Sequence, residues 1–268
     1  MQSAKISLWG RVWARRDVFW ELTKRDIAGR YSGSFFGLLW SFLNPLLMLA
    51  VYTLAFRQFL GMRWPNMETG PDFSLMIFAG MIVHTLMAEC IVRAPTSIVA
   101  NVNLVKRVVF PIVLLPCVTV VSSVFNAVLS LAVLLLFVLV SRHSLPLSLL
   151  YLPCLFAPYA LLLCGVSWFM ASLGVFVRDI TQLAGIITTM LMFLSPVFYP
   201  ASSLHEPYRS WLLYNPLTLI IEQTRKVVLF GDVPDWHALG LYTIAALAVL
   251  LLGYGWFRRT QDGFADVL

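Results

Sequence analysis

Charged residues are scarce in this chain. Asp, Glu, Lys and Arg make up 12% of its 268 residues, about half the share that an average soluble domain carries. With 60% apolar residues, the polar surface is too small to coat a water-soluble globule. The same hydrophobicity excludes an intrinsically disordered chain. The composition therefore indicates a polytopic membrane protein.

Motifs for catalysis and nucleotide binding are also missing. The sequence contains no GxxxxGK[ST] phosphate loop and no HExxH or GxSxG motif. None of its four cysteines forms a CxxC pair. We therefore expect no metal site, no cofactor and no enzymatic activity in this chain. Energy for transport would come from an ion gradient or from another subunit.

Long runs without a charged residue predict the membrane spans. A helix needs about 20 apolar residues to cross the hydrocarbon, and five of the runs exceed that length. The second run reaches it only if Glu89 is tolerated within the membrane. We predict an all-α fold with six transmembrane helices. The runs cover 31–56, 73–88, 108–141, 143–177, 180–205 and 236–257.

The whole chain, 1–268, is predicted to form a single transmembrane domain with both termini in the cytosol. In this orientation 13 of the 19 Lys and Arg residues lie in cytosolic segments, as the positive-inside rule requires. The excess basic charge thus lies beside membrane spans and does not indicate nucleic-acid binding. The expected parts are an interfacial helix (1–30), spans one to five (35–198) with a cytosolic segment (94–107), an outer region (199–235), span six (236–257) and a cytosolic tail (258–268).

The N-terminal segment has an amphipathic pattern. Trp9, Trp13, Trp20 and Ile27 recur at helical spacing on one face, and basic residues occupy much of the rest. This pattern is typical of a helix that lies in the membrane surface. The alternative is an amphipathic helix that packs on protein.

The outer region 199–235 is rich in proline. Its apolar run between Arg209 and Glu222 is too short to cross the membrane and is broken at Asn215-Pro216. A re-entrant or interfacial pair of helices fits this pattern best.

Two groups of ionisable residues have open interpretations. Glu89 and His84 lie in or near the second span, where charges are expensive. They could form a proton relay, but we favour a simple pairing of Glu89 with Arg93 at the inner interface. Glu222 and Arg225 are three residues apart and can pair on one helix face. They could form a charged outer gate or a structural ion pair.

Aromatic residues recur in the first and fifth spans. Sugars stack their C–H faces on aromatic rings, so an aromatic lining would let a glycan slide through a channel. The alternative is packing against lipid, which is commoner for a single aromatic residue. The channel candidates are Trp40, Tyr52, Phe56, Phe59, Phe193, Phe198 and Tyr199.

Several short motifs together resemble the transmembrane subunit of ABC-2 type polysaccharide exporters, and most closely the O-antigen permeases. The resemblance covers nearly the whole chain, and it depends on the order and spacing of the motifs. They are Arg30-Tyr31-x-Gly33-Ser34 with Asn44-Pro45, Asn103-Leu104-x-Lys106-Arg107-x-x-Phe110-Pro111, Arg178-Asp179-Ile180, Ser195-Pro196-Val197-x-Tyr199, Asn215-Pro216-Leu217-Thr218 with Glu222 and Arg225, and the closing Phe264-Ala265-Asp266-Val267-Leu268.

The resemblance implies a homodimer in the bacterial cytoplasmic (inner) membrane that binds two copies of an ATPase subunit, which holds ATP and Mg. The cargo would be a lipid-linked polysaccharide, for O-antigen on undecaprenyl pyrophosphate. Arg25 and Arg30 would attract the pyrophosphate. The outer helices would cap the dimer channel, with Asn215, Glu222 and Arg225 as gate candidates. The segment 94–107 would be a coupling helix, with ATPase contacts at Asn101, Asn103, Lys106 and Arg107.

Other functions stay open at this point. A capsular polysaccharide or teichoic acid permease would share the same motifs. An ion-coupled secondary transporter would use Glu89 and His84 and would need no ATPase. A membrane-embedded transferase would need a cluster of catalytic acids or bases in one cavity, and the scattered ionisable residues argue against it.

Overall fold

The structure is a computed structural model that describes residues 16–55, 71–105 and 110–268. Every regular element in these three ranges is helical, which confirms the predicted all-α class. The first half of the expected interfacial helix lies outside the described residues. So do the channel candidates Phe56 and Phe59 and the coupling candidates Lys106 and Arg107.

We number the α-helices of the described ranges in chain order. They are α1 (Arg16–Tyr31), α2 (Trp40–Tyr52), α3 (Pro71–Val99), α4 (Val102–Val105), α5 (Leu114–Arg142), α6 (Leu152–Phe176), α7 (Ile180–Phe193), α8 (Tyr208–Leu212), α9 (Pro216–Arg225), α10 (Trp236–Thr260) and α11 (Phe264–Val267). A π-helical turn, Lys226–Phe230, continues α9.

Four of the six predicted spans have a helix long and apolar enough to cross a membrane. They are Phe73–Val99, Leu114–Arg142, Leu147–Phe176 and Trp236–Gly263. The other two are shorter apolar helices, Trp40–Ala55 and Ile180–Phe193. At about 1.5 Å per residue, the 14 residues of α7 reach roughly 21 Å, less than the ~30 Å hydrocarbon core.

Helix α3 forms the centre of the bundle. Of the four long apolar helices it is the most buried, and α5, α6, α7 and α9 pack around it. Its buried side chains include Met76, Ile77 and Val83. Helix α10 lies at the periphery against α6 and leaves most of its own surface exposed. The fold thus places α3 where it can contact most of the other helices.

Helices α6 and α10 approach so closely that only glycine fits at their crossing. A Cβ on Gly165 would collide with the α10 backbone at Val249, and a Cβ on Gly253 would collide with the backbone of Gly165. Small residues at such crossings are typical of helix packing in membranes.

This crossing gives a first prediction. Gly253→Ala is expected to destabilise the folded protein by about 1–3 kcal/mol, because the added methyl overpacks the contact with α6. Gly255→Ala is the matched control two residues along α10, where a Cβ meets nothing within 4 Å. There the change is expected to be neutral or to stabilise by up to about 1 kcal/mol. Thermal unfolding of both variants in detergent measures the difference, and equal unfolding temperatures would contradict the packing argument.

The turn after α3 and the C-terminal tail pack together at one end of the bundle. Helix α3 continues to Val99, beyond the span predicted from the charge-free run. Ile98 and Val105 pack there with Phe257 and Phe264. Phe264 is fully buried, so the predicted tail folds back onto the bundle as α11. The first residues of the expected coupling segment therefore belong to α3.

Candidate functional site

Helix α1 packs on the bundle through a polar face. Thr23 is buried, and Asp26 and Arg30 follow at helical spacing on the same side, towards α3 and α5. Trp20, on the aromatic face singled out in the sequence, is 53% exposed. The described half of the segment therefore contacts protein through Thr23, Asp26 and Arg30 and exposes Trp20, while Ile27 on the same face as Trp20 is partly buried.

Four charged side chains from α1 and α3 form a compact cluster, which we call the charge network: Asp26, Arg30, Glu89 and Arg93. The Arg30 Nη1 donates to Glu89 Oε2 at 2.7 Å. The Arg93 Nη2 donates to both Asp26 oxygens at 2.8 and 2.9 Å. Each helix supplies one acid and one base four residues apart, and the two pairs meet across the helix interface. The network is therefore electrically neutral.

Helix α5 completes the network with uncharged side chains. Ser122 donates to Asp26 and accepts from Arg30 (2.9 Å) and Arg93 (3.1 Å). The Asn126 amide donates to Glu89 Oε1 at 3.2 Å. These contacts hold three helices together with charge-assisted hydrogen bonds, the stronger class.

The sequence-based pairing of Glu89 with Arg93 is wrong. The two residues lie one turn apart on α3, yet each takes its partner from α1, because Asp26 and Arg30 present the complementary order of charges. Asp26, Ser122 and Asn126 were not singled out in the sequence. In the sequence, the four-residue spacing of Asp26 and Arg30 was a signal for Asp26, and the isolated amide within a charge-free run was a signal for Asn126.

A cavity of about 350 Å³ lies between α2, α3 and α5 and borders the charge network. Its polar lining residues are Ser41, Asn44, Tyr52, Thr85, Glu89, Ser123, Asn126 and Ser130. The Ser41 side chain is buried, and its Oγ has no hydrogen-bond partner. The cavity thus offers carboxylate, amide and hydroxyl groups inside an otherwise apolar bundle, together with the aromatic rings of Tyr52 and Phe78.

Arg25 and Asn101, predicted for two different roles, contact each other. The exposed Arg25 Nη2 donates to Asn101 Oδ1 at 3.3 Å. Both line a smaller cavity of about 160 Å³ between α1, α3 and α5, beside Asp26 and Arg93. Asn103 is exposed on α4. The end of α1 and the turn after α3 therefore form one polar surface.

Arg25 and Arg30 differ in their availability to a ligand. The Arg30 side chain is only 14% exposed and is bound to Glu89, Ser122 and Ser123. Arg25 is exposed. Of the two arginines predicted to attract pyrophosphate, Arg25 is the accessible one.

The described aromatic candidates lie in two places. Trp40 and Tyr52 are on α2, and Tyr52 lines the cavity. Phe193 and Phe198 stack near the end of α7 with ring centroids 6.2 Å apart, and the Tyr199 hydroxyl donates to the Phe193 carbonyl. Phe193 is 61% exposed. A lining formed by both groups remains a prediction.

Arg225 lies in the interior of the protein. It is 1% exposed, and its Nε donates to the Met76 carbonyl at 3.0 Å. One Nη donates to the Val197 carbonyl at 2.7 Å and the other to Glu222 at 3.2 Å. This geometry fastens α9 to α3 and to the segment after α7, which supports the structural interpretation of the Glu222–Arg225 pair.

Asn215 caps the first turn of α9. Its Oδ1 accepts from the Leu217 amide, as an N-cap residue does. Its Nδ2 donates to the Leu194 carbonyl and to Ser195. Pro216 occupies the first helical position, where its missing N–H is harmless. Asn215 thus connects the end of α7 to the start of α9.

His84 and Glu89 belong to different contacts. The His84 Nε2 lies 3.0 Å from the Thr188 carbonyl on α7, whereas Glu89 faces Arg30 and Asn126. Among the described residues, no hydrogen bond joins the two side chains. The geometry gives no support to a relay between them.

These features define a helical membrane protein with a neutral polar cavity inside its bundle. Residues 17–229 match the ABC-2 type transporter family, so the chain belongs to that family. This match confirms the family seen in the sequence motifs.

Among similar proteins are two named "O-antigen export system permease protein RfbA". The one from Klebsiella pneumoniae is 25% identical over 254 residues, 94% of this chain and 95% of that protein. The one from Myxococcus xanthus is 28% identical over 265 residues, 97% of this chain and 99% of that protein. The "Polysialic acid transport protein KpsM" of Escherichia coli is 24% identical over 241 residues, 89% of this chain and 91% of that protein.

Proposed function

We propose that this chain is the permease subunit of an exporter that moves a lipid-linked polysaccharide across the bacterial cytoplasmic membrane. The family match and the similar exporters support this function. We assign O-antigen on undecaprenyl pyrophosphate as the cargo, because the relatives named for O-antigen export in Klebsiella pneumoniae and Myxococcus xanthus are 25% and 28% identical to this chain, against 24% for the polysialic acid transport protein. Capsular polysaccharide and teichoic acid are the alternative cargoes.

The observation that carries the proposal is the polar cavity between α2, α3 and α5. Amide, hydroxyl and carboxylate groups there can exchange hydrogen bonds with the hydroxyls of a sugar. Because arginines pair with both carboxylates of the charge network, the site has no net charge to hold an ion. A neutral, hydroxyl-rich ligand fits this chemistry better than a coupling ion does.

The energy source in this proposal is a separate ATPase subunit, which binds ATP and Mg. The exposed polar surface formed by Arg25, Asn101 and Asn103 is a suitable docking surface for it. Asp26 lies one residue from Arg25 and bonds to Arg93 on α3. A movement of this surface would therefore reach the charge network and the cavity beside it.

In the proposed membrane arrangement, α2 and α7 are the first and fifth of six spans, and both termini are cytosolic. Helix α1 lies at the inner surface with Trp20 towards lipid. Helices α8 and α9 form the re-entrant outer region. Exposed apolar side chains on α2 and α7, such as Val51 and Met190, would be buried by contact with a second copy of the chain. We therefore infer a homodimer, with the channel between its two subunits and with two ATPase subunits.

Gene deletion tests the proposed function. We expect loss of the surface polysaccharide together with accumulation of lipid-linked polymer inside the cell, and recovery on complementation. Absence of polymer in both places would indicate a biosynthetic enzyme. Unchanged surface polysaccharide would contradict the proposal.

Arg25 gives a further prediction. Arg25→Gln is expected to lower export several-fold without lowering the amount of folded protein, because the side chain is exposed and contacts Asn101. Lys24→Gln is the matched control: it removes the same charge from the adjacent residue, whose side chain is 70% exposed and pairs with Glu21 one turn away on α1. Surface polysaccharide per permease molecule is the measurement. Equal export by the two variants would contradict a role of Arg25 in the docking surface for the ATPase.

A further inference from the structure

A large apolar cavity, separate from the polar one, lies beneath α8. It has a volume of about 860 Å³ and runs between α6, α9 and α10. We call it the apolar slot. Its walls include Leu162, Val166, Leu219, Leu241, Ala245 and Val249. The volume is within the ~300–1,000 Å³ of ordinary ligand sites, and the lining suits a hydrocarbon.

The length of the slot matches one membrane leaflet. It is lined along α10 from Ala238 to Val249, a rise of about 16 Å. Half of the hydrocarbon core is roughly 15 Å thick. Helix α10 is also the least buried of the four long apolar helices. The slot is therefore built into the helix with the largest area for contact with lipid.

Polar groups at the slot have the chemistry of a lipid headgroup site. Arg209 lies in its lining, is exposed, and makes no side-chain hydrogen bond or ion pair with any residue that the structure describes. Glu222, the acid at the rim, already pairs with Arg225. The unpaired charge at the slot is thus positive.

Exposed aromatic residues place this rim at the level of the headgroups. Tyr208, Trp211 and Tyr214, on and just after α8, are 59%, 65% and 88% exposed. Tyr and Trp are enriched at membrane–water interfaces, where their rings lie among headgroups and glycerol. Arg209 lies within this aromatic group and can reach a phosphate at that depth.

We propose that the apolar slot binds one anionic glycerophospholipid of the membrane. One acyl chain occupies the slot, and the phosphate pairs with Arg209. The inference does not depend on the cargo, because the slot and the polar cavity have different walls. A bound lipid would fill the space between α10 and the two short helices α8 and α9.

Two variants of the full-length protein test this site. Ala245→Trp places an indole ring in the slot, where it obstructs an acyl chain. Ala248→Trp is the matched control, since it adds the same ring at an exposed position of α10 that does not line the slot. Arg209→Gln removes only the headgroup charge at an exposed position, so it tests the site even if Ala245→Trp fails to fold.

Native mass spectrometry with added phosphatidylglycerol is the measurement. We expect one tightly held phosphatidylglycerol per chain in the wild type and in Ala248→Trp, and none in Ala245→Trp. Arg209→Gln should weaken its affinity about tenfold, as expected for a lost charge-assisted contact. Equal lipid retention by both tryptophan variants would overturn the proposal. A polyprenyl phosphate retained in preference to phosphatidylglycerol would also overturn it, as would loss of dimers in Ala245→Trp with unchanged lipid content.

Discussion

Replacing Glu89 alone with Gln is expected to reduce both export and the amount of folded protein strongly, whereas the double replacement Arg30→Gln/Glu89→Gln restores a large part of both. The single change leaves the Arg30 guanidinium, 14% exposed, with its nearest remaining carboxylate, that of Asp26, at 3.9 Å. Breaking a buried pair costs about 3–5 kcal/mol. We expect the lower end here, because the Glu89 side chain is 25% exposed.

The double replacement removes both charges and leaves two amides. These amides can bond to each other and to the neighbouring polar side chains of α5, so no buried charge stays uncompensated. The measurements are thermal unfolding in detergent and surface polysaccharide per permease molecule. An exposed ion pair on α1, Glu21 and Lys24, is the control. The Lys24 Nζ lies 2.9 Å from the Glu21 Oε1, and both side chains are more than two-thirds exposed. Neutralising this pair should change the free energy of unfolding by less than about 1 kcal/mol.

The same experiment separates the exporter from an ion-coupled transporter. If the Glu89 carboxylate carried a proton or a cation, the single and double variants would be equally inactive, since both lack it. If the carboxylate serves to neutralise Arg30, the double variant exceeds the single one in stability and in export. Equal inactivity with equal stability would contradict the structural role that we assign to the charge network.

Arg225→Met is expected to cause the second large loss, about 3–5 kcal/mol of folding free energy. Three hydrogen bonds disappear, and the carbonyls of Met76 and Val197 lose a buried donor. Each unsatisfied buried polar group costs about 1–3 kcal/mol. Because these bonds join α3, α9 and the segment after α7, the outer region should detach from the core. We expect little folded protein and no export.

Lys226→Met is the matched control for Arg225→Met. It removes one positive charge from the next residue, which is only partly buried, and it should leave folding and export near the wild-type level. Arg225→Lys should lie between the two, because an ammonium on a flexible stem cannot reach both carbonyls and Glu222 with the geometry of a guanidinium. Limited proteolysis and thermal unfolding give the readout. Equal stability of Arg225→Met and Lys226→Met would contradict the fastening role.

The sequence predicted the long helices better than their ends. A charge-free run marks apolar residues, but it does not mark where a helix stops. The run 180–205 contains a helix that ends at Phe193, because Pro196 and Pro200 cannot continue it. Conversely, α3 continues past Arg93 to Val99, because a charged residue ends an apolar run without ending a helix, and arginine favours helical structure. A hydropathy pattern marks neither of these helix ends.

The site was only partly predictable for a related reason. Local spacing correctly predicted the Glu222–Arg225 pair, the position of Glu89 in a predicted span drew attention to that residue, and the family resemblance drew attention to Arg30. The two ion pairs of the charge network, however, join residues that lie 59 and 67 positions apart in sequence, so only the fold could bring them together. As a result, Glu89 pairs with Arg30 and not with Arg93, its expected partner. Arg25 and Asn101 were predicted separately, and their contact became visible only when α1 was placed beside the end of α3.

Transport by inverted membrane vesicles tests the central claim most directly. The vesicles would contain this permease, its ATPase and radiolabelled lipid-linked polysaccharide, and the measured quantity is the fraction of glycan protected from an added glycosidase. We predict that ATP raises this fraction, that Arg30→Gln/Glu89→Gln supports a measurable part of the increase, and that collapse of the proton gradient leaves it unchanged. Protection that needs the proton gradient and not ATP, or no protection with ATP, would contradict the account.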